Sequence, residues 1–279
     1  MRSGFISFVG RPNVGKSTLL NAICGKKVSI VSDKPQTTRN RIRGVLTTAE
    51  TQLIFVDTPG IHKAVSALGE RVNATAIEST KDVDVVCLVI DATQTFGTGD
   101  KYVSNHIDMS KAVVILNKID RAEPAKILKQ LQALSSLGAA EYFPISAKTG
   151  DGVVELTTYL ASRMPEGDLL YPVDMVTETP DSVWIAELVR EQLLENTHEE
   201  LPYSIATRVT EYEPPRIRCE IVVERESQKG MVIGKNGSML KIIGTNVRRQ
   251  LPSGTFLELA VVVDKNWQQR PERVERLGY

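Results

Sequence analysis

Gly10-Arg11-Pro12-Asn13-Val14-Gly15-Lys16-Ser17-Thr18 is the stretch that decides the fold. It follows the apolar run Phe5–Val9 and leads into Ser17–Ile23, which predicts a strand, a glycine-rich turn and a helix in succession. The spacing G-x-x-x-x-G-K-[ST] builds a phosphate cradle. Gly10 and Gly15 let backbone N–H groups curl toward phosphate oxygens with no Cβ in the way. Lys16 is placed to reach the β- and γ-phosphates, and Ser17 to offer its hydroxyl to Mg2+. The helix start adds partial positive charge. The spacing alone also occurs in ordinary loops; the strand before it and the helix after it favour the cradle. The loop implies a nucleoside triphosphate and leaves its base open.

The base is read further along. The apolar run Lys111–Leu116 ends in Asn117-Lys118-Ile119-Asp120. A carboxylate at Asp120 accepts from the N1–H and 2-amino groups of guanine, a donor pair that adenine lacks, so the site rejects adenine. Asn117 suits the other edge of the base, and the aliphatic stem of Lys118 covers its face. Phe143–Lys148 supplies Ser146, Ala147 and Lys148, with the Ala147 N–H aimed at the guanine oxygen. Between these lies Gln52–Gly60, a strand that delivers Asp57 to the Mg2+ shell, then Thr58, Pro59 and Gly60, whose N–H suits the γ-phosphate. Singly, Asn117–Asp120 reads equally as a turn and Asp57 as a helix cap. Four such motifs in order, each at the end of an apolar run, point to a GTP-binding domain.

The chain has 279 residues, 42% hydrophobic and 24% charged, enough for two soluble domains. Cys24, Cys87 and Cys219 fit neither a disulfide framework nor a zinc pattern, and read as buried thiols in a reducing compartment. The first strand begins at once and no apolar run reaches membrane-spanning length, so the expected location is the cytoplasm. The formal net charge is zero but divided: residues 216–279 hold 12 Lys or Arg against 7 Asp or Glu. Lys229, Lys235, Lys241, Arg248 and Arg249 form a run with no acid between them, the electrostatic pattern of an anion-binding element.

Strands are expected near 4–9, 41–47, 51–57, 84–91, 111–117 and 140–145, and helices near 16–24, 66–82, 98–108, 122–137 and 151–163. Most strands are apolar throughout, as in a sheet covered on both faces, whereas 41–47 alternates and belongs toward an edge. The expectation is a doubly wound α/β sheet with its ligand across the strand C-termini, spanning 1–165. Pro165, Pro172 and Pro180 punctuate an aperiodic stretch read as a linker over 166–180. A smaller α+β unit follows over 181–279: a helix at 183–195, strands at 203–209 and 217–223, a short helix, Gly234-Lys235-Asn236-Gly237, a helix from Ser238, and a strand at 256–263.

That element order with that loop resembles a type II KH domain, a module that holds single-stranded RNA. The resemblance implies that Gly234, Lys235, Asn236 and Gly237 clamp the RNA backbone, with Ser238, Lys241 and Arg248 beside them and Ile233 in an apolar floor for the bases. A solvated basic face beside a helix-ending turn is the plain alternative.

Together, Gly10–Thr18, Gln36-Thr37-Thr38-Arg39, the KH-like unit and the closing Asn266–Tyr279 resemble the Era family of bacterial GTPases over almost the whole chain. The resemblance implies a P-loop GTPase that hydrolyses GTP to GDP, binds 16S rRNA near its 3′ end and assists maturation of the 30S subunit. It also implies a monomer, with peripheral contact to the inner face of the cell membrane left open. It makes Thr38 the second Mg2+ hydroxyl, with Thr37 the alternative, and gives Lys16, Thr38 and Gly60 the work at the γ-phosphate. Asn13 resembles the residue with which some related GTPases hold K+ beside the phosphates. Many GTPases place a glutamine after the Asp-x-x-Gly motif to orient water; here stands Ile61, apolar as in the family resembled, so slow turnover is expected. His62 as a substitute base is weighed against an ordinary exposed loop histidine. Two rivals remain. One is a regulatory GTPase whose C-terminal domain docks a protein or membrane surface, which a steep salt dependence of RNA binding separates. The other is a tRNA-modification GTPase, which needs a folate or flavin domain that the sequence does not display.

Overall fold

A computed structural model of the protein describes residues 1–61 and 66–279. His62 therefore lies outside the described residues. The chain forms two compact units. The first holds β1 (Arg2–Val9), α1 (Lys16–Cys24), β2 (Ile42–Thr47), β3 (Thr51–Asp57), α2 (Ala67–Glu78) and β4 (Val85–Asp91). It continues with α3 (Thr98–Ser104), β5 (Val113–Asn117), α4 (Pro124–Ser135), β6 (Glu141–Pro144) and α5 (Val153–Arg163). The sheet order is β2-β3-β1-β4-β5-β6. Neighbours run parallel apart from β2, which pairs antiparallel with β3 as an edge strand. Alternation along one strand feeds two cores. Cys87 and Val89 join Phe8, Leu20, Phe55 and Leu160 on one face, whereas Leu88 and Ile90 join Val114, Leu116 and Leu134 on the other. Each such side chain removed from water stabilises the unit by roughly 1.5–3 kcal/mol. This is why the strands are apolar throughout and why their C-terminal ends stand at fixed heights beneath the loops.

Several boundaries depart from the expected ranges. The helix near 98–108 stops at Ser104, because Asp108 accepts from the Ser110 N–H and starts a separate 3-10 turn. The stretch read as a linker does not hang free. Arg2 bridges Glu166 and Gly44 bridges Thr177, so the segment runs along the first unit up to Glu178. Gln52, fully buried, accepts from the Leu170 and Tyr171 N–H groups at 2.8 and 2.9 Å and donates to the Tyr171 carbonyl at 2.9 Å. Arg43 holds Glu178 at 2.9 Å. A segment without apolar periodicity is held by side chains that satisfy its backbone.

The second unit comprises Thr179–Tyr279 with short segments of the N-terminal half, Ser32–Thr37 among them. Its elements are α6 (Asp181–Asn196), β7 (Ala206–Glu213), β8 (Arg216–Val223), α7 (Glu226–Ile233), α8 (Ser238–Arg248), β9 (Phe256–Val263) and α9 (Pro271–Arg276). The sheet is β7-β8-β9, with β8 antiparallel to β7 and parallel to β9. Leu188, Leu193, Ile221, Val223, Val232, Ile243 and Val247 form its core. β7 begins later than expected, because Pro202 sits in the first turn of a 3-10 turn at Leu201–Tyr203. The tail is packed rather than loose: Trp267 is fully buried and donates to the Ser204 carbonyl at 3.1 Å.

Candidate active site and candidate nucleic-acid interface

The loop between β1 and α1 is shaped by close approach. A Cβ on Gly15, at φ 99°, would stand 2.3 Å from the Asn117 amide nitrogen, and one on Gly60 would stand 2.5 Å from the Pro12 nitrogen. Only glycine fits either place. Lys16 is buried beneath the loop, its ammonium near the Gly10 and Arg11 carbonyls at 3.4 and 3.2 Å. Burial pulls its pKa down to about 8, against the opposing pull of Asp57. The ammonium is thus short of counter-charge, a deficit that phosphates would fill. Arg11 turns away to Asp100 at 3.3 Å, and Thr18 is half-buried on α1.

Three hydroxyls converge on the end of β3. Ser17 Oγ donates to Asp57 Oδ2 at 2.6 Å, Ser29 at 3.1 Å and Thr38 at 3.4 Å, and Ser17 lies 2.9 Å from Thr38. Thr37 instead donates to the Lys34 carbonyl, so Thr38 is the threonine brought to this cluster. Asp57 is fully buried and its Oδ1 has no hydrogen-bond partner. Burial raises its pKa, with Lys16 and the three hydroxyls pulling the other way. An orphaned carboxylate oxygen beside two hydroxyls is a hard-oxygen donor set, and it fits a Mg2+ ion. Such an ion would neutralise phosphate charge here. Thr58 donates to the Phe8 carbonyl at 2.6 Å, and Pro59 and Ile61 are buried beyond it. Ile61 offers no hydrogen bond to a water.

The residues expected to read the base meet at the ends of β5 and β6. Asn117 donates to the Val14 carbonyl and accepts from the Ala147 N–H, both at 2.9 Å, which ties the phosphate loop to the Ser146–Lys148 loop. Ser146 donates to Asp120 Oδ1 at 2.7 Å, and Asp120 is exposed with capacity for further donors. Lys148 is exposed at the rim. The Lys118 ammonium is occupied by the Asn13 carbonyl at 2.6 Å and by Asp91 at 2.7 Å, so its stem rather than its charge is presented. Burial pushes Asp91 up, but its bonds to Lys118 and Thr93 outweigh that and hold it below the usual carboxylate range. Sequence reasoning missed Asp91, Ser29 and Asn21. Asp91 ends an apolar strand as Asn117 does, and that shared position is a usable signal.

In the second unit, α7 ends at Ile233 and α8 begins at Ser238. Gly234 has φ 72°, and a Cβ there would stand 2.8 Å from the Met239 nitrogen, so the two helices can meet only with glycine between them. Asn236 and Gly237 are left-handed, at φ 52° and 75°. Lys235, Asn236, Ser238, Lys241 and Arg248 are exposed, and Ile233 is half-buried against the core. The sequence-predicted nucleotide residues are thus gathered in the first unit, and the predicted RNA residues along one helix–turn–helix edge of the second.

A six-stranded sheet with this phosphate loop, this guanine edge and a KH-like unit defines a two-domain GTPase. Residues 5–118 match the model of the 50S ribosome-binding GTPase family, and residues 200–268 match that of the KH domain. Proteins called GTPase Era from Mycobacterium sp. (strain KMS) and Mycobacterium tuberculosis (strain ATCC 25177 / H37Ra) are each 43% identical over 295 residues. The alignment covers 100% of this chain and 99% of the first relative, and 99% and 98% for the second. A crystal structure of an Aquifex aeolicus Era variant bound to GDP·AlF4− has a TM-score of 0.96 and 38% identity, covering 100% of this chain and 99% of its own. Era in complex with MgGDPNP and nucleotides 1506–1542 of 16S ribosomal RNA matches with the same figures. The chain belongs to the Era family of GTPases, enzymes that hydrolyse GTP.

Proposed function

We propose that this GTPase binds the 3′ region of 16S rRNA through the Gly234–Gly237 edge and assists 30S subunit maturation, with GTP and GDP setting its state. Supporting this is the exposed Lys235–Asn236 turn, crowned by Lys241 and Arg248 with no carboxylate in the run, in a chain alike throughout to a protein solved with such an RNA. RNA phosphates pass close to Gly234 and Gly237, and Ile233 floors the bases. In the first unit, Gly10–Thr18 cradle the phosphates, Asn117, Lys118, Asp120 and Ser146–Lys148 hold guanine, and Ser17, Thr38 and Asp57 hold Mg2+. Lys16, Thr38 and the Gly60 N–H act on the γ-phosphate. With Ile61 at the water-orienting position, turnover is slow, and K+ beside Asn13 supplies the charge an arginine finger supplies elsewhere. The protein works as a cytoplasmic monomer, with its nucleotide and RNA functions divided between residues 1–165 and 181–279. No described helix is long and apolar enough to cross a membrane, and any membrane contact is peripheral. Crosslinking the protein to RNA in cells and sequencing the attached fragments tests the proposal. Reads concentrated at the 16S 3′ end are expected; recovery of protein or lipid partners without enriched RNA would instead favour a docking GTPase.

A further inference from the structure

We propose that Ser29 is the positioning residue that orients Asp57 toward the metal, an inference that rests on the GTPase reading above. Asp57 Oδ2 receives Ser17, Ser29 and Thr38, but the three donors differ in how they are held. Ser17 and Thr38 are themselves assigned to the cation, and Thr38, at 3.4 Å, lies in an irregular segment. Ser29 has no such second duty. It is fully buried, and Asn21 of α1 grips its backbone from both sides: Asn21 Oδ1 accepts from the Val28 and Ser29 N–H groups at 2.9 and 3.0 Å, and Asn21 Nδ2 donates to the Ser29 carbonyl at 2.8 Å. The Ser29 hydroxyl is therefore fixed to the helix that carries the phosphate loop and Ser17. Asp57 ends β3, so its Cβ is held by the sheet; with the carboxylate planar, fixing Oδ2 as well fixes where Oδ1 points, and Oδ1 is the buried oxygen left without a partner. The order is Asn21, then Ser29, then Asp57, then the ion. It sets the carboxylate before any nucleotide or switch movement does. Outer partners of this kind commonly govern metal affinity by 10–100-fold.

The test uses the full-length protein loaded with a fluorescent, non-hydrolysable GTP analogue, whose release is followed across a Mg2+ titration and again in EDTA. For Ser29→Ala, the Mg2+ concentration giving half-maximal retention should rise on the order of tenfold, with release in EDTA and thermal unfolding as in the wild type. Ser29→Cys adds bulk where Ser29→Ala removes a little, yet both lack a strong donor, so both should shift alike. That separates the lost hydrogen bond from lost packing. A Mg2+ dependence identical to wild type in both variants overturns the inference, leaving Ser29 a filler of the core. An equal shift in EDTA also overturns it, since Ser29 would then act on the nucleotide cradle. If the wild-type protein shows no Mg2+-dependent retention, it is the GTPase reading itself that fails.

Discussion

At the scale of single residues, the specificity proposed for the site rests on one exposed carboxylate held in place from behind. Ser146 occupies one oxygen of Asp120 at 2.7 Å, and Asn117 locks the adjoining loop through Ala147. If Asp120 accepts from two guanine donors as proposed, Asp120→Asn replaces that acceptor with a group that is half donor. GTP affinity should fall on the order of a hundredfold, about 3 kcal/mol. Xanthosine triphosphate, whose 2-oxo group accepts from the new amide, should bind better than it does to the wild type. Competition titrations with both nucleotides check this, and wild-type GTP affinity in the variant would sink the guanine assignment. Asn13, left-handed at φ 63° and exposed on the phosphate loop, carries a second prediction. Hydrolysis should run faster in K+ than in Na+ at equal ionic strength, and Asn13→Ala should abolish the difference. Equal rates in both salts would leave Asn13 as a residue that only shapes the loop. The sequence points to these residues because each belongs to a contiguous motif. Ser29 and Asp91 were not legible there, because their partners Asp57 and Lys118 lie 28 and 27 positions away and meet them only after the sheet has formed. Asn21 was not, because it acts on the backbone of Val28 and Ser29, which no side-chain motif records.

Elements were legible where burial is two-sided. β4 and β5 read directly as apolar runs, since both their faces are covered. Legibility failed where side chains, not periodicity, set the boundary. Asp108 ended one helix early, and Pro202 delayed β7. The α7–α8 junction belongs to the legible class, because its glycines are required by geometry. Its middle residues are free of that demand: Lys235 and Asn236 point outward, and an aspartate tolerates the left-handed backbone of Asn236. Lys235→Asp combined with Asn236→Asp should therefore leave the fold intact while placing two negative charges at the turn proposed to meet RNA phosphates. Repulsion at contact distance is about 1 kcal/mol or more per charge even when screened, so single-stranded RNA affinity should fall roughly tenfold or more. GTP affinity and thermal unfolding should stay near wild type. Unchanged RNA affinity by fluorescence anisotropy would place the RNA surface elsewhere.

At the scale of the whole molecule, each unit has its own core, and the first unit runs on to Glu178, through most of the stretch 166–180 read as a linker. The aperiodic stretch looked like a tether because nothing in its composition shows that Gln52, far away in sequence, is waiting for its backbone. The consequence can be measured on fragments of the nucleotide-binding unit. A fragment ending at residue 165 loses the Leu170 and Tyr171 partners of Gln52, the Arg43–Glu178 pair, and the packing of Val176 against the first core. Water would reach Gln52 once the segment is gone, which softens the loss, and a half-exposed ion pair contributes little. The remaining cost is an imperfectly solvated amide and exposed apolar surface, together about 2–3 kcal/mol. A fragment of residues 1–178 should accordingly unfold at higher urea than one of residues 1–165, by that difference in free energy, with both binding GDP while folded. Coincident urea midpoints for the two fragments would show that residues 166–178 lie on the first unit without stabilising it.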